Sequence, residues 1–137
     1  MFKNFAAILA VIAFGLTFYP LYSEKPPVFC AYADEYEIYL SAGSFGDNIA
    51  TATKATFANF TGVKGESCKL TAPYSQVLED FSATHLFSET TENGESYYAY
   101  SPKLRYKTYV KGKAVNLHYF AGKSGNRLGT PMIFGSF

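Results

Sequence analysis

The chain opens on a nearly continuous apolar stretch and then changes character. From Asn4 to Ser23 no residue is charged, whereas from Asp34 onward apolar and polar positions alternate in short runs. Lys3 ahead of the apolar run, Phe5 to Tyr22 within it, and the small-x-small triplet Ala31-Tyr32-Ala33 before Asp34 have the layout of an export signal. The pattern predicts a signal peptide over residues 1–33, with Ala31 and Ala33 at the cleavage site, and a single extracytoplasmic domain over residues 34–137. Glu24 to Tyr32, with Pro26-Pro27, is long for the stretch before a cut. Two other outcomes therefore stay open: a retained signal anchor, since about 20 residues at 1.5 Å each cross a hydrocarbon core, and a cut after Ser23. Bulky Phe29 argues against lipid attachment at Cys30.

Beyond the leader, period-two alternation predicts strands. They fall at Tyr36 to Leu40, at Thr51 to Phe60 as a strand or bent pair, and at Ala83 to Thr90 and Ser96 to Ser101. More follow at Tyr106 to Val110, Val115 to Phe120 and Leu128 to Phe134. Ser41 to Asn48 reads as a loop and Gly62 to Ser67 as a turn. Asn93-Gly94 sits at the centre of the strongest hairpin signal. Lys111-Gly112-Lys113 and Lys123-Ser124-Gly125-Asn126 mark further turns. One segment has helical spacing: Tyr74, Val77, Leu78 and Phe81 recur three and four apart, with Thr71 as N-cap and Pro73 in the first turn. The sum is an α+β domain, one helix packed on a curved antiparallel sheet of about five or six strands, preceded by the apolar signal or anchor helix.

Composition strengthens the sheet reading. Twelve Tyr, 13 Phe and no Trp give a strand-favouring aromatic content. A cut after Ala33 leaves Cys68 as the single thiol, so no internal disulfide is available. An exported domain of that kind fits a Gram-positive product, secreted or membrane-anchored, and Cys68 reads as a small buried apolar residue.

The near-zero net charge hides a division. Ten acids and three lysines lie between Asp34 and Glu95, whereas residues 96 to 137 carry seven cations and no acid. Lys103, Arg105, Lys107, Lys111 and Lys113 are all odd-numbered, and side chains two apart share one face of an extended segment. Leu104, Tyr106, Thr108 and Val110 then face the core. The resulting basic ridge is a candidate anion-binding face toward cell-wall polymer, phospholipid headgroups or glycan-linked phosphate. The plainer reading is the solvated side of a half-buried sheet.

Catalytic and metal signatures are weak. Cys68, His85 and His118 would form a thiol–imidazole pair only if the fold joined them, and His118, opposite Val115, Leu117 and Tyr119 in parity, reads as solvent-facing. Two histidines without paired spacing do not make a zinc site, so no metal and no cofactor are expected. Gly122-Lys123-Ser124 lacks the upstream glycine of a phosphate-binding loop, since Leu117 stands there. Gly43-Ser44-Phe45-Gly46 lacks the spacing of a nucleophile elbow. Asn59-Phe60-Thr61 is a glycosylation sequon that matters only in a eukaryotic secretory route. Basic residues interleaved with tyrosines suit nucleic acid, but the export signal and balanced charge argue against it.

Several short motifs carry a resemblance. Gly65-Glu66-Ser67, the helix up to Phe81, Tyr97-Tyr98-Ala99-Tyr100-Ser101-Pro102, Val115-Asn116-Leu117-His118 and Gly129-Thr130-Pro131-Met132-Ile133-Phe134-Gly135 resemble YwmB-type secreted proteins of spore-forming Firmicutes, over about residues 65 to 137. The chain departs from that family in having no substantial region after the last of these motifs. The resemblance implies an exported α+β domain similar in fold to the TATA-box-binding protein, a role near the envelope and no cofactor, and it carries over no catalytic residue. Asn116 and Thr130-Pro131 are then structural, Asn116 satisfying backbone and Pro131 at a strand edge or bulge.

Two functions are compatible with these residues. The first is a non-catalytic, envelope-associated binding or scaffolding domain, linked to envelope remodelling or sporulation, whose partner is an anionic surface or an envelope protein. The second is a small-ligand carrier or weak Cys/His hydrolase with a pocket between helix and sheet.

Overall fold

The computed structural model describes residues 27–40 and 49–134. Among them are strands β1 (Glu35–Tyr39), β2 (Ile49–Thr53), β3 (Gly65–Leu70), β4 (Thr84–Thr91), β5 (Gly94–Tyr100), β6 (Thr108–Val110), β7 (Lys113–Val115), β8 (Leu117–Gly122) and β9 (Gly125–Thr130). Helix α1 (Tyr74–Asp80) and a 3-10 turn (Phe57–Asn59) complete the elements. Seven strands form one antiparallel sheet in the order β2-β1-β3-β9-β8-β5-β4, and β6 pairs only with β7 as a separate ribbon. The class is α+β, as the alternation predicts, with a larger sheet than expected. The apolar run from Asn4 to Ser23 and the loop expected at Ser41 to Asn48 lie outside the described residues. Among the described residues no helix is long and apolar enough to cross a membrane.

The added strand is β3, which begins at Gly65 where a turn was expected. Glu66 and Ser67 make that segment look like a loop, yet both are buried. Strand β9 then fits between β3 and β8, so the last strand among the described residues joins the β1–β3 half of the sheet to the β4–β8 half.

One face of the sheet carries the core. Cys68 stands opposite Leu128, and Leu128 opposite Tyr119. Leu70, Leu117, Ala99 and Val77 of α1 pack with them. Removing each large apolar side chain from water contributes roughly 1.5–3 kcal/mol. Phe29, which precedes β1, is fully buried in the same cluster and meets Phe81 edge-on at 5.8 Å. Tyr32 O–H donates to Asp80 of α1, and Tyr36 O–H to the carbonyl of Ala33. Residues 27–33 are thus packed onto the domain.

The opposite face is covered too, which corrects the reading of His118. Parity does place it away from Leu117 and Tyr119, but the side chain is fully buried. Tyr98 stacks on its ring at 4.5 Å, and Phe87 stacks on Tyr98 at 4.7 Å. After Thr130 the chain folds back across this face. Ile133 N–H donates to His118 Nδ1 at 3.1 Å, so that nitrogen carries no proton and Nε2 donates to Ser96 Oγ at 2.9 Å. Gly129 permits the crossing, because a Cβ there would lie 2.8 Å from the backbone of Ile133.

The β4–β5 hairpin is shifted by one residue from its sequence signal. Thr91 pairs with Gly94, so Glu92-Asn93 form the loop and Gly94 belongs to β5. Gly94 has φ 153°, and a Cβ on it would meet the carbonyl oxygen of Ala121 at 2.2 Å. The glycine is required by the neighbouring strand as much as by the turn.

Candidate functional site

The five ridge cations are all exposed, and Leu104, Tyr106, Thr108 and Val110 between them are buried or half-buried, so the alternation holds as far as Val110 and ends at exposed Gly112. It does not make one straight ridge. Residues 103–107 have no regular structure, β6 covers only Thr108–Val110, and Lys111 (φ 51°) with Gly112 (φ 75°) reverses the chain before Lys113. The cations consequently divide. Lys111 pairs with Glu89 at 2.7 Å, and Lys111 and Lys113 both lie over the Phe87 ring, at 5.5 and 5.8 Å. These two sit on the His118 face. Lys107 lies over the ring of exposed Tyr109 at 5.9 Å.

Lys103 and Arg105 turn instead to the core face, where they line a cleft of about 590 Å³. One wall is the stretch from Phe57 to Lys64, the other is Lys103 to Tyr106, and Glu66 and Thr130 contribute from the sheet. Tyr106 O–H donates to the Val63 carbonyl at 2.6 Å and ties the two walls together. Asn116 anchors the second wall: its Oδ1 accepts from Ser101 N–H and its Nδ2 donates to Ser101 O, both at 2.7 Å. This is the backbone-satisfying role expected of Asn116.

Two polar groups lie at the inner end of this cleft. Glu66 and Thr130 are directly opposed on adjacent strands, and each is almost wholly buried. Phe29 N–H donates to Glu66 Oε1 at 2.8 Å. Burial pushes the Glu66 carboxyl above its ordinary range, with the Phe29 and Val28 amides pulling the other way. Thr130 Oγ1 is buried without a hydrogen-bond partner among the described residues, an arrangement that costs about 1–3 kcal/mol if nothing fills it. Sequence reasoning passed over both. The usable signal was parity, because Gly65-Glu66-Ser67-Cys68-Lys69-Leu70 places Glu66 on the same face as apolar Cys68 and Leu70.

The thiol and imidazoles are kept apart. Cys68 is on the core face of β3, and burial pushes its thiol up to about 12. His118 is on the other face, two strands away, and burial lowers it to about 4. His85 is exposed on edge strand β4, where its Nδ1 lies 2.7 Å from Tyr74 O–H. The space between α1 and the sheet is filled by Val77, Leu117, Tyr119 and Leu128. Among the described residues no cluster of His, Cys, Asp and Glu is arranged to hold a metal ion. Comparisons with protein-family models, with curated proteins and with solved structures find no match.

Proposed function

We propose that this chain is a non-catalytic, exported, envelope-associated binding domain that meets anionic surfaces outside the membrane through the cations between Lys103 and Lys113. The observation that carries this reading is their exposure: of the five, Lys111 alone is held in an ion pair among the described residues and Lys103 Nζ makes one exposed 3.4 Å bond to the Asp80 carbonyl, leaving Lys103, Arg105, Lys107 and Lys113 with charge to offer. Attraction of this kind acts over about a Debye length, roughly 8 Å at physiological salt, and weakens as salt rises. The resemblance of residues 65 to 137 to YwmB-type secreted proteins points the same way.

Export rests on the apolar leader, and the packing bears on where a cut falls. Cleavage after Ala33 removes Phe29 from the core and leaves Glu66 without the Phe29 amide. This packing favours the two alternatives, a cut after Ser23 or a leader kept as an anchor, over a cut after Ala33. Retention on anionic vesicles and on isolated cell walls tests the function. Lys103→Ala/Arg105→Ala/Lys107→Ala is expected to release the protein, and raised salt to do the same. Unchanged retention removes the proposal.

A further inference from the structure

We propose that the cleft between Phe57–Lys64 and Lys103–Tyr106 is a binding site for a phosphorylated polyol or sugar, with glycerol phosphate as the smallest member of the class. Its hydroxyls enter toward Glu66 and Thr130, and its phosphate stays at the mouth with Lys64, Lys103 and Arg105. This names a ligand for part of the basic segment, and it rests on the reading that Lys103 and Arg105 face anions.

The inner groups set the first requirement. Thr130 is 1% exposed, its Oγ1 has no hydrogen-bond partner among the described residues, and it borders the cleft. A hydroxyl left in that state is satisfied by a ligand atom that donates or accepts. Directly across the strand pair, Glu66 has its Oε1 engaged by Phe29 N–H, and a carboxyl group has acceptor capacity beyond one such bond. A hydroxyl pair on adjacent carbons suits two polar groups held side by side on neighbouring strands, about 5 Å apart at Cβ.

The mouth sets the second. Lys64, Lys103 and Arg105 are exposed cations lining the same cleft, and a guanidinium beside ammonium groups is the side-chain set that holds phosphate oxygens. Three cations also disfavour a cationic ligand, although Glu66 alone would have suited an amine. Between the two ends the walls are Phe57, Phe60 and Tyr106, faces on which the C–H groups of a polyol or sugar pack. The basic mouth, aromatic walls and hydroxyl-binding floor follow the order of groups in the ligand.

The probe is sn-glycerol 3-phosphate, with glycerol and inorganic phosphate as its two halves, read by amide shifts and calorimetry on the full chain. At about 10 mM, enough to saturate a millimolar site, glycerol 3-phosphate is expected to shift amides of Glu66, Thr130 and Arg105 together. Inorganic phosphate should shift only those at the mouth. Thr130→Val, which keeps shape and removes the unpartnered hydroxyl, is expected to weaken glycerol 3-phosphate about 5-fold while thermal stability holds or rises. Arg105→Ala is expected to weaken both anions about 10-fold, and Lys113→Ala neither. A soluble glycerol-phosphate oligomer and phosphatidylglycerol vesicles separate a wall polymer from a lipid headgroup as the natural source. Equal binding by Thr130→Val, or shifts confined to the mouth, overturns the inference. Should Thr130→Val fail to fold, the shift map of the unaltered protein decides. Retention on cell walls that needs Lys103 and Arg105 without any glycerol 3-phosphate site defeats this inference alone, whereas loss of both defeats the broader reading as well.

Discussion

Phe29 donates its backbone N–H to Glu66 across 37 positions of sequence, at 2.8 Å, while its ring is fully buried against Phe81. The segment before β1 is therefore bound to the sheet by a hydrogen bond to the Glu66 carboxyl and by the core at once. Phe29→Ala is expected to cost about 3–5 kcal/mol. A chain beginning at Asp34 should melt at least about 12 °C below one beginning at Pro27. Equal melting temperatures would show that residues 27–33 add nothing to the fold.

His118 gives an acid-sensitive stability of known sign. Burial lowers its folded value from 6.5 to about 4, so between those two values the unfolded chain holds a proton there and the folded chain does not. Stability from this group is complete above about pH 6.5 and declines by up to about 3 kcal/mol as pH falls toward 4. Glu66 acts in the opposite sense, since its raised value favours the protonated folded form. The clean readout is the His118 ring by NMR, expected to stay neutral at pH 5.5; a ring titrating near 6.5 contradicts its burial.

The two thiols should differ in reactivity. Cys68 is buried and its thiol pushed up to about 12, leaving almost no thiolate at neutral pH. Cys30 is only half-buried. Ellman's reagent is expected to label Cys30 first and to reach Cys68 only as the domain opens. Rapid labelling of Cys68 in the folded protein would rule this out.

Asn116 holds the wall of the cleft through two bonds to Ser101, both buried. Asn116→Ala leaves the Ser101 amide without its partner and the Ser101 carbonyl with only the 3.4 Å bond from Leu104 N–H, and is expected to cost about 1–3 kcal/mol. Amide exchange at Ser101 and Leu104 should rise with it. Protection unchanged at those positions would mean the wall is held by other contacts.

How far the residues announce this structure depends on what surrounds them. Helix α1 was legible because Tyr74, Val77, Leu78 and Phe81 repeat at helical spacing, and the structure places it at Tyr74–Asp80. The hairpins were legible because alternation and turn residues are local signals, but the last described strand runs Gly125–Thr130 rather than Leu128 to Phe134, since residues 131–134 leave the sheet and cross the His118 face. Strand β3 was not, since Glu66 and Ser67 are polar residues buried by partners distant in sequence. His118 was misread for a related reason: parity identifies a face, but only the returning chain at Ile133 determines whether that face meets water. The basic segment was half legible. Alternation correctly gave the exposure of Lys103 through Lys113, while the reversal at Lys111-Gly112 sends its two ends to different sides of the sheet. Glu66 and Thr130, 64 positions apart and opposed only through the β3–β9 pairing, are a constellation no local pattern contains.

That same pairing dictates an order of events for a newly made chain. Until Gly125 to Thr130 arrive, β3 and β8 each present an open edge, and such edges recruit other chains. Closing the gap requires an encounter between distant parts of the polypeptide, which makes folding slow relative to helical domains of this size. A nascent copy interrupted before Gly125 has two half-sheets and nothing to unite them, so these molecules gain their shape late and all at once.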